Sequence, residues 1–383
     1  MKLLLWYWGR RGHPPMALGL AKAFAEREDV DLSLSLSRQT DLYEAFKALE
    51  TEPGVPVHWV KTYRSKGEFL CSLFRLPLVR WAFARFLSRI RPDVVFCSMT
   101  HLWNPALLGA VRKSGAAYVL LVHDAELHPG EQSGLRDRIL TDEIVKADGL
   151  VTMSRHVRET LIRRHGLDAN RIALVPHGVD LPDPDDALAR TLPDLTKRPF
   201  QLLFFGRIVA YKGVDLLLEA YRLLLERGKA VELTIAGSGQ ADALIESARE
   251  LSGITWDVRW IAEEEIGGLV SASDLVVLPY REASQSGIAP LAATRGVPSV
   301  ATPVGGLVEQ VLDGTTGLLS CEVSAEAFAD AICALMEDPG LYARCSQGAL
   351  DHAQTTLSWA AVAGQLAPFF AQIRQSRSAH PAE

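Results

Sequence analysis

The chain has 383 residues, 48% apolar and 22% charged, with a net charge of −6, which suits two domains of ordinary size, each with its own core. No apolar run is long enough to span a bilayer, and the mild acidic balance gives no reason to expect a nucleic-acid partner. The five cysteines (Cys71, Cys97, Cys321, Cys333, Cys345) are scattered without a close pair, which argues against a disulfide framework or a zinc site and suits a reducing cytoplasm.

The opening "MKLLLWYWGRRG" carries an apolar stretch too short for a signal peptide. Charge is uneven along the chain. Residues 1–190 hold 26 Lys and Arg against 23 Asp and Glu, whereas residues 191–383 hold 14 against 23. An anionic partner for the first half and ordinary surface variation explain this equally well.

Short apolar runs alternate with helical patterns throughout. In the first half the predicted strands are "LLLWYW", "DLSLSLS", "VHWV", "DVVFCS", "AYVLLVH", "GLVTMS" and "IALVP". Helical segments such as "MALGLAKAFAERE" and "HVRETLIRRHG" fall between them. In the second half the strands are "QLLFFG", "VELTIAG", "DVRWI", "LVVLPY", "PSVAT" and "TGLLS", with "VDLLLEAYRLLLERG", "ADALIESARELSG" and "SAEAFADAICALMED" as helices. Repeated βα alternation with apolar strands predicts an α/β chain of parallel sheets covered on both faces. Asp180 to Phe200 contains four prolines and many carboxylates and reads as a linker. The expected layout is a first Rossmann-like domain over 1–181, a Pro-rich linker over 182–199, a second domain over 200–355, and a C-terminal helix over 356–383 packing back toward the first domain. Two doubly wound domains would face each other across a cleft, with ligands beyond the carboxyl ends of the strands.

Four strand ends stand out. At the first, Gly9 and Gly12 flank Arg10 and Arg11 before a helix, where close backbone approach and a helix N-terminus favour an anion. The pattern is not GxGxxG, which disfavours a nicotinamide enzyme. At the second, His123 and Asp124 close a strongly apolar strand; such a His is either structural or able to reach a sugar hydroxyl or phosphate. At the third, "FFGRIVAYKGVD", Arg207 and Lys212 bracket a strand-to-helix turn. Both cations suit phosphate oxygens, and the plain alternative is two surface charges beside a turn. At the fourth, "LPYREASQSGIAP", the loop with Glu282, Ser284, Gln285, Ser286 and Gly287 precedes a helix whose start can present backbone amides to an anion.

The second half resembles the family-4 retaining glycosyltransferases, of GT-B fold. The matching pieces are "PHGVD", "GRIVAYKG", "AGSG", "ASDLVVLPY", "GVPSVATPVGGLVEQV" and "DGTTGLL", in family order over roughly residues 172–320. The first half is similar only in its βα pattern, its early glycine turn and its strand-end His. The resemblance implies GT-B architecture, two facing Rossmann-like doubly wound domains with a cleft between them. It also implies transfer of a sugar from a nucleotide-diphosphate sugar, UDP- or GDP-linked, to a glycan or polyprenyl-linked acceptor, without a metal or other cofactor.

By the same resemblance, Arg207 and Lys212 would bind the donor diphosphate, and His123 would contact the transferred sugar. Glu282 and the loop through Ile288 (Ser284, Gln285, Ser286, Gly287, Ile288) would hold sugar hydroxyls and donate amides to the β-phosphate. Gly9, Gly12, Gly206 and Gly237 would lie near the donor, and Arg10 and Arg11 on the acceptor side. No metal site is implied.

One departure is visible. The family has a second glutamate eight residues after the first, usually on the ribose; here that position is Pro290, or Leu291 counted back from Gly296. "SQSG" resembles a bacterial subgroup altered in this region. Glu309 is a further donor-side candidate, or a carboxylate complementing a helix dipole. The departure keeps open a non-catalytic nucleotide-sugar-binding partner or sensor of the same fold and, more weakly, a nucleotide-sugar epimerase.

Residues 61–91 hold eight Lys and Arg against one acid, Glu68, with Phe, Trp and Leu in the gaps. Such a segment can lie on an anionic membrane, as a peripheral protein at the inner face of the plasma membrane would. It can equally be an amphipathic crossover helix on the first sheet, and Pro77 interrupts its periodicity.

Overall fold

The computed structural model describes residues 1–10, 14–51, 54–124 and 134–379. The chain divides into two units, Met1–Gly178 with Trp359–Glu383, and Val179–Ser358.

Among the described residues the first unit carries a seven-stranded parallel sheet. Its strands are β1 (Lys2–Tyr7), β2 (Asp31–Ser37), β3 (Val57–Val60), β4 (Val94–Cys97), β5 (Ala117–Val122), β6 (Gly149–Thr152) and β7 (Ile172–Leu174), in the order β3-β2-β1-β4-β5-β6-β7. In β1 the pleat sends Leu3, Leu5 and Tyr7 to one core and Leu4 and Trp6 to another, so both faces are dry and the strand is apolar throughout. The first core is covered by the helices Pro14–Ala25 and Trp359–Ala379, the second by Leu76–Ile90 and Asn104–Ser114.

The second unit carries β8 (Phe200–Phe205), β9 (Val231–Ala236), β10 (Ile254–Asp257), β11 (Leu275–Leu278), β12 (Ser299–Ala301) and β13 (Gly317–Leu319). Their order is β10-β9-β8-β11-β12-β13, again all parallel. The helix Val214–Glu226 buries Val214, Leu217, Tyr221 and Leu224 at helical spacing against this sheet.

Three expectations shift. The expected linker, 182–199, belongs to the second unit. The amide of Arg190 donates to Ser346 Oγ (2.6 Å), its guanidinium to the carbonyls of Ser273 (2.7 Å) and Arg295 (3.0 Å), and Arg198 is forked onto Asp274. The prolines prevent regular structure here, but side-chain hydrogen bonds still strap the segment down. The strand expected at "DVRWI" ends where that stretch begins: β10 is Ile254–Asp257. Asp257 turns the chain and pairs with Arg259, leaving Trp260 70% exposed. Finally, Pro77 opens a helix. It stands in the first turn of Leu76–Ile90, where a missing N–H costs nothing, after a separate helix Lys66–Leu73.

The C-terminal helix begins at Trp359 and belongs to the first unit, burying Val362, Ala363, Leu366, Phe370 and Ile373 in its core. All five cysteines are free thiols. Among the described residues no helix is long and apolar enough to cross a membrane.

Candidate functional site

In the second unit the strand order reverses direction between β8 and β11, and the chain leaving those two strands bounds the crevice typical of such sheets. β8 runs into Gly206 and Arg207; β11 runs into Pro279 and Tyr280. Between them Gly213 starts the helix Val214–Glu226 with φ +65°, and a Cβ there would stand 2.0 Å from the Pro279 carbonyl oxygen. Only glycine lets the turn close onto β11. The amide of Arg281 donates to the Tyr211 carbonyl (2.7 Å) and seals the same approach.

That closure sets Lys212 over Tyr280. Lys212 Nζ donates to the Tyr280 hydroxyl at 2.8 Å and lies 4.3 Å from the ring centroid. A Cβ on Gly206 would come within 3.2 Å of the same ammonium. Gly237, ending β9, backs Gly206 closely, with room for no side chain: a Cβ would meet the Gly206 oxygen at 2.0 Å. Arg207 is exposed, and its Nη2 donates to the Tyr211 hydroxyl at 3.0 Å. Both cations therefore ride on one turn, each oriented by a tyrosine.

The loop after β11 continues the chain of contacts. The Tyr280 and Ser286 hydroxyls are 3.4 Å apart, and Ser286 is buried. Gln310 grips Ser286 twice, accepting from its amide (2.6 Å) and donating to its carbonyl (2.8 Å). Ser286 Oγ accepts from the Ile288 amide at 3.2 Å. Of the loop Glu282 to Ile288, expected to donate amides to a β-phosphate, the Ser286 and Ile288 amides are engaged within the protein, because a buried amide needs a partner. Gly287 is exposed, Glu282 is exposed, and Ser284 and Gln285 are half-buried. Gln285 Oε1 itself is buried with no hydrogen-bond partner among the described residues. Pro290 and Leu291 lie in the helix Ile288–Ala293, Pro290 buried and Leu291 packed against the core, so neither position faces outward. Glu309 is half-buried in the short helix Leu307–Gln310 beside Gln310.

In the first unit the order reverses between β1 and β4. Gly9 follows β1 where a Cβ would stand 2.6 Å from Met99 Sδ and from the Tyr7 hydroxyl. Arg10 is held by the Arg64 carbonyl (3.4 Å) and faces Asp41 (3.9 Å). Arg11 and Gly12 lie outside the described residues. His123, after β5, donates from Nε2 to the carbonyl of Ser98, after β4, at 3.2 Å. Removal from water lowers its pKa against the partial support of Ser98 and Asp124. His177 in "PHGVD" donates from Nδ1 to the Gly178 carbonyl (2.8 Å). Burial pushes its pKa down to about 4, with the neighbouring His123 a lesser cause. Two neighbouring imidazoles are thus neutral at pH 7 and act as hydrogen-bonding groups.

Residues 199–338 match the family model "Glycosyl transferases group 1", and residues 11–178 match "Glycosyl transferase 4-like domain". The two halves are glycosyltransferase domains of GT-B fold. Among relatives, a D-inositol 3-phosphate glycosyltransferase of Xylanimonas cellulosilytica is 34% identical over 67% of this chain and 65% of its own length. A Rhodococcus opacus protein of the same description is 36% identical over 56% of this chain and 51% of its own length. The match thus spans less than two thirds of the curated relatives' length. Among solved structures, Anabaena Alr3699/HepE in complex with UDP superposes with a TM-score of 0.72, covering 97% of this chain and 100% of its own at 19% identity. Sucrose-phosphate synthase from Thermosynechococcus elongatus gives 0.73, covering 98% and 100%, also at 19% identity.

Within this GT-B chain, sequence reasoning missed Tyr280, Tyr211, Gln310 and His177. All four stand inside the family motifs given above, so a signal for the residues existed, though not for their pairings. Gln310 is 24 residues from Ser286, and no local pattern announces that pairing. Among the described residues no cluster of three or more His, Cys, Asp or Glu could hold a metal ion.

Proposed function

We propose that the chain is a retaining glycosyltransferase. It moves a sugar from a nucleotide-diphosphate sugar to a glycan or lipid-linked acceptor, independently of metal, in the cytoplasm. The observation that carries this reading is the Lys212–Tyr280–Ser286–Gln310 chain beside Arg207 at the β8/β11 reversal. Bond breaking leaves negative charge on the departing diphosphate. Two cations held in place before the reaction stabilise that charge without reorganising, the role a metal ion serves elsewhere. Neutral His123, oriented by Ser98, is the residue that the family resemblance sets against the sugar. The relatives' description as D-inositol 3-phosphate glycosyltransferases supports transfer to a hydroxyl acceptor, and the UDP-bound neighbour makes UDP the first nucleotide to try. On the acceptor side, residues 61–91 contact an anionic membrane, which suits a polyprenyl-linked acceptor.

The test is calorimetric titration with UDP, GDP and ADP, beside Lys212→Ala. Saturable binding of one nucleotide, weakened in the variant, supports the reading. A specific observation favours a second reading: Pro290 and Leu291 put apolar groups where the family has its ribose carboxylate, and two loop amides are already engaged. On that reading the protein binds a nucleotide sugar without transferring it, and a donor that binds but is neither hydrolysed nor transferred would favour it.

A further inference from the structure

The helices Leu76–Ile90 and Asn104–Ser114 of the first unit leave a groove of about 440 Å³ between them. Arg80, Trp81, Ala84 and Ser88 line one wall, Lys113 and Ser114 the other. The Arg80 guanidinium leans across to the facing helix, 3.7 Å from where a Gly109 Cβ would be, and Lys113 follows one turn later. Neither helix contains an acidic residue, and among the described residues Arg80, Arg85 and Lys113 make no ion pair. Ser88 and Ser114 spend their hydroxyl protons on the carbonyls of Arg85 and Val111. The groove thus offers an anion two cations and no competing carboxylate. Just before and within the first turns of the helix Leu76–Ile90 stand the most exposed large apolar side chains among the described residues of this unit: Phe74 is 90%, Leu78 69% and Trp81 61% exposed. Trp81 belongs to both surfaces, and Arg85 lies 5.6 Å from its ring centroid.

We infer that this groove is a seat for the phosphate of an anionic membrane lipid, with Arg80 and Lys113 on the phosphate and Phe74, Leu78 and Trp81 dipping into the acyl boundary. The charge selects a phosphate, and the apolar side chains alongside select one carried on a lipid in a bilayer over one free in solution. The inference rests on the membrane contact proposed above and gives it an address. It is independent of the donor site, whose nucleotide titration stands or falls separately.

The test is co-sedimentation of the full chain with phosphatidylcholine vesicles, with and without phosphatidylglycerol, at low and high salt. Arg80→Ala with Lys113→Ala removes the groove cations. Arg89→Ala with Arg112→Ala removes the same charge from the same helices outside the groove. The expected result is binding to the anionic vesicles only, weakened by salt, with the groove pair losing about tenfold more affinity than the control pair. Thermal melts identify any variant that fails to fold, and Trp81→Ser, read the same way, should also weaken binding. Equal losses in the two pairs would reduce the charges to a diffuse field and overturn the groove while leaving the membrane contact. No sedimentation of the wild type would overturn both. Saturable binding of glycerol 1-phosphate alone, as tight as to vesicles, would assign the groove to a soluble phosphate ester and overturn the lipid.

Discussion

Lys212 and Tyr280, 68 residues apart, meet through a 2.8 Å hydrogen bond, with the ammonium 4.3 Å from the centre of the same ring. The contact fixes a flexible four-carbon side chain in the turn between β8 and the helix Val214–Glu226. A cation held this way is ready for a phosphate, because its rotamer entropy is largely lost before the ligand arrives. Lys212→Ala should lower turnover at least about tenfold, or about 1.4 kcal/mol, and weaken nucleotide binding. Tyr280→Phe keeps the ring but drops the hydroxyl that joins Lys212 to Ser286, and should cost nucleotide affinity about 1 kcal/mol. Steady-state kinetics and calorimetry on both variants check this; unchanged values for Lys212→Ala would remove it from the mechanism.

Gln310 should matter although it carries no charge. Gln310→Ala leaves the amide and carbonyl of buried Ser286 without partners, which should destabilise the protein by roughly 1–3 kcal/mol. The urea midpoint reads that loss. Nucleotide affinity should fall with it; a drop in stability with unaltered affinity would show that the loop through Ser286 takes no part in binding.

Two glycines offer a matched comparison. Gly213 and Gly228 have φ +65° and +70°, but a Cβ on Gly213 meets the Pro279 oxygen at 2.0 Å, while nothing lies within 4 Å of one on Gly228. Gly228→Ala should cost about 1 kcal/mol for the backbone alone. Gly213→Ala should cost at least about 2 kcal/mol more, since a backbone carbonyl has to move. Chemical unfolding of the two variants side by side measures the difference.

Glu143, fully buried in the helix Gly134–Lys146, gives a pH dependence. It accepts from Asn104 Nδ2 (2.6 Å) and from the Tyr118 hydroxyl, and burial raises its pKa to about 7 against those hydrogen bonds. A raised folded-state pKa contributes stability that is full below the unfolded value of 4.5, falls as pH rises, and is gone above about 7. Glu143→Gln should therefore flatten the melting temperature across that window and melt higher than wild type above pH 7, by roughly 1–3 kcal/mol of stability. Thermal melts at a series of pH values check it. The same slope in wild type and variant would remove Glu143 as the cause.

The strand-by-strand layout was legible because parallel strands buried on both faces are apolar runs bounded by turn residues, and β1, β5, β8 and β11 all read that way. β10 was misread because "ITWD" and "DVRWI" carry similar signals, and only pairing with β9 chooses between them. The segment 182–199 looked like a free linker because composition reports the absence of regular structure and says nothing of what Arg190 reaches.

The motifs around Gly206, Lys212 and Ser286 could be named in advance because a glycine turn, a cation and a polar loop at strand ends are local chemistry. Tertiary structure alone decided which partners hold them: Tyr280 under Lys212, Gln310 around Ser286, Ser98 against His123. The physical reason is reach. Periodicity and turn chemistry act over a few residues along the chain, whereas each of these hydrogen bonds joins residues at least 24 positions apart. Such pairs exist only once the parallel sheets have brought their strand ends side by side.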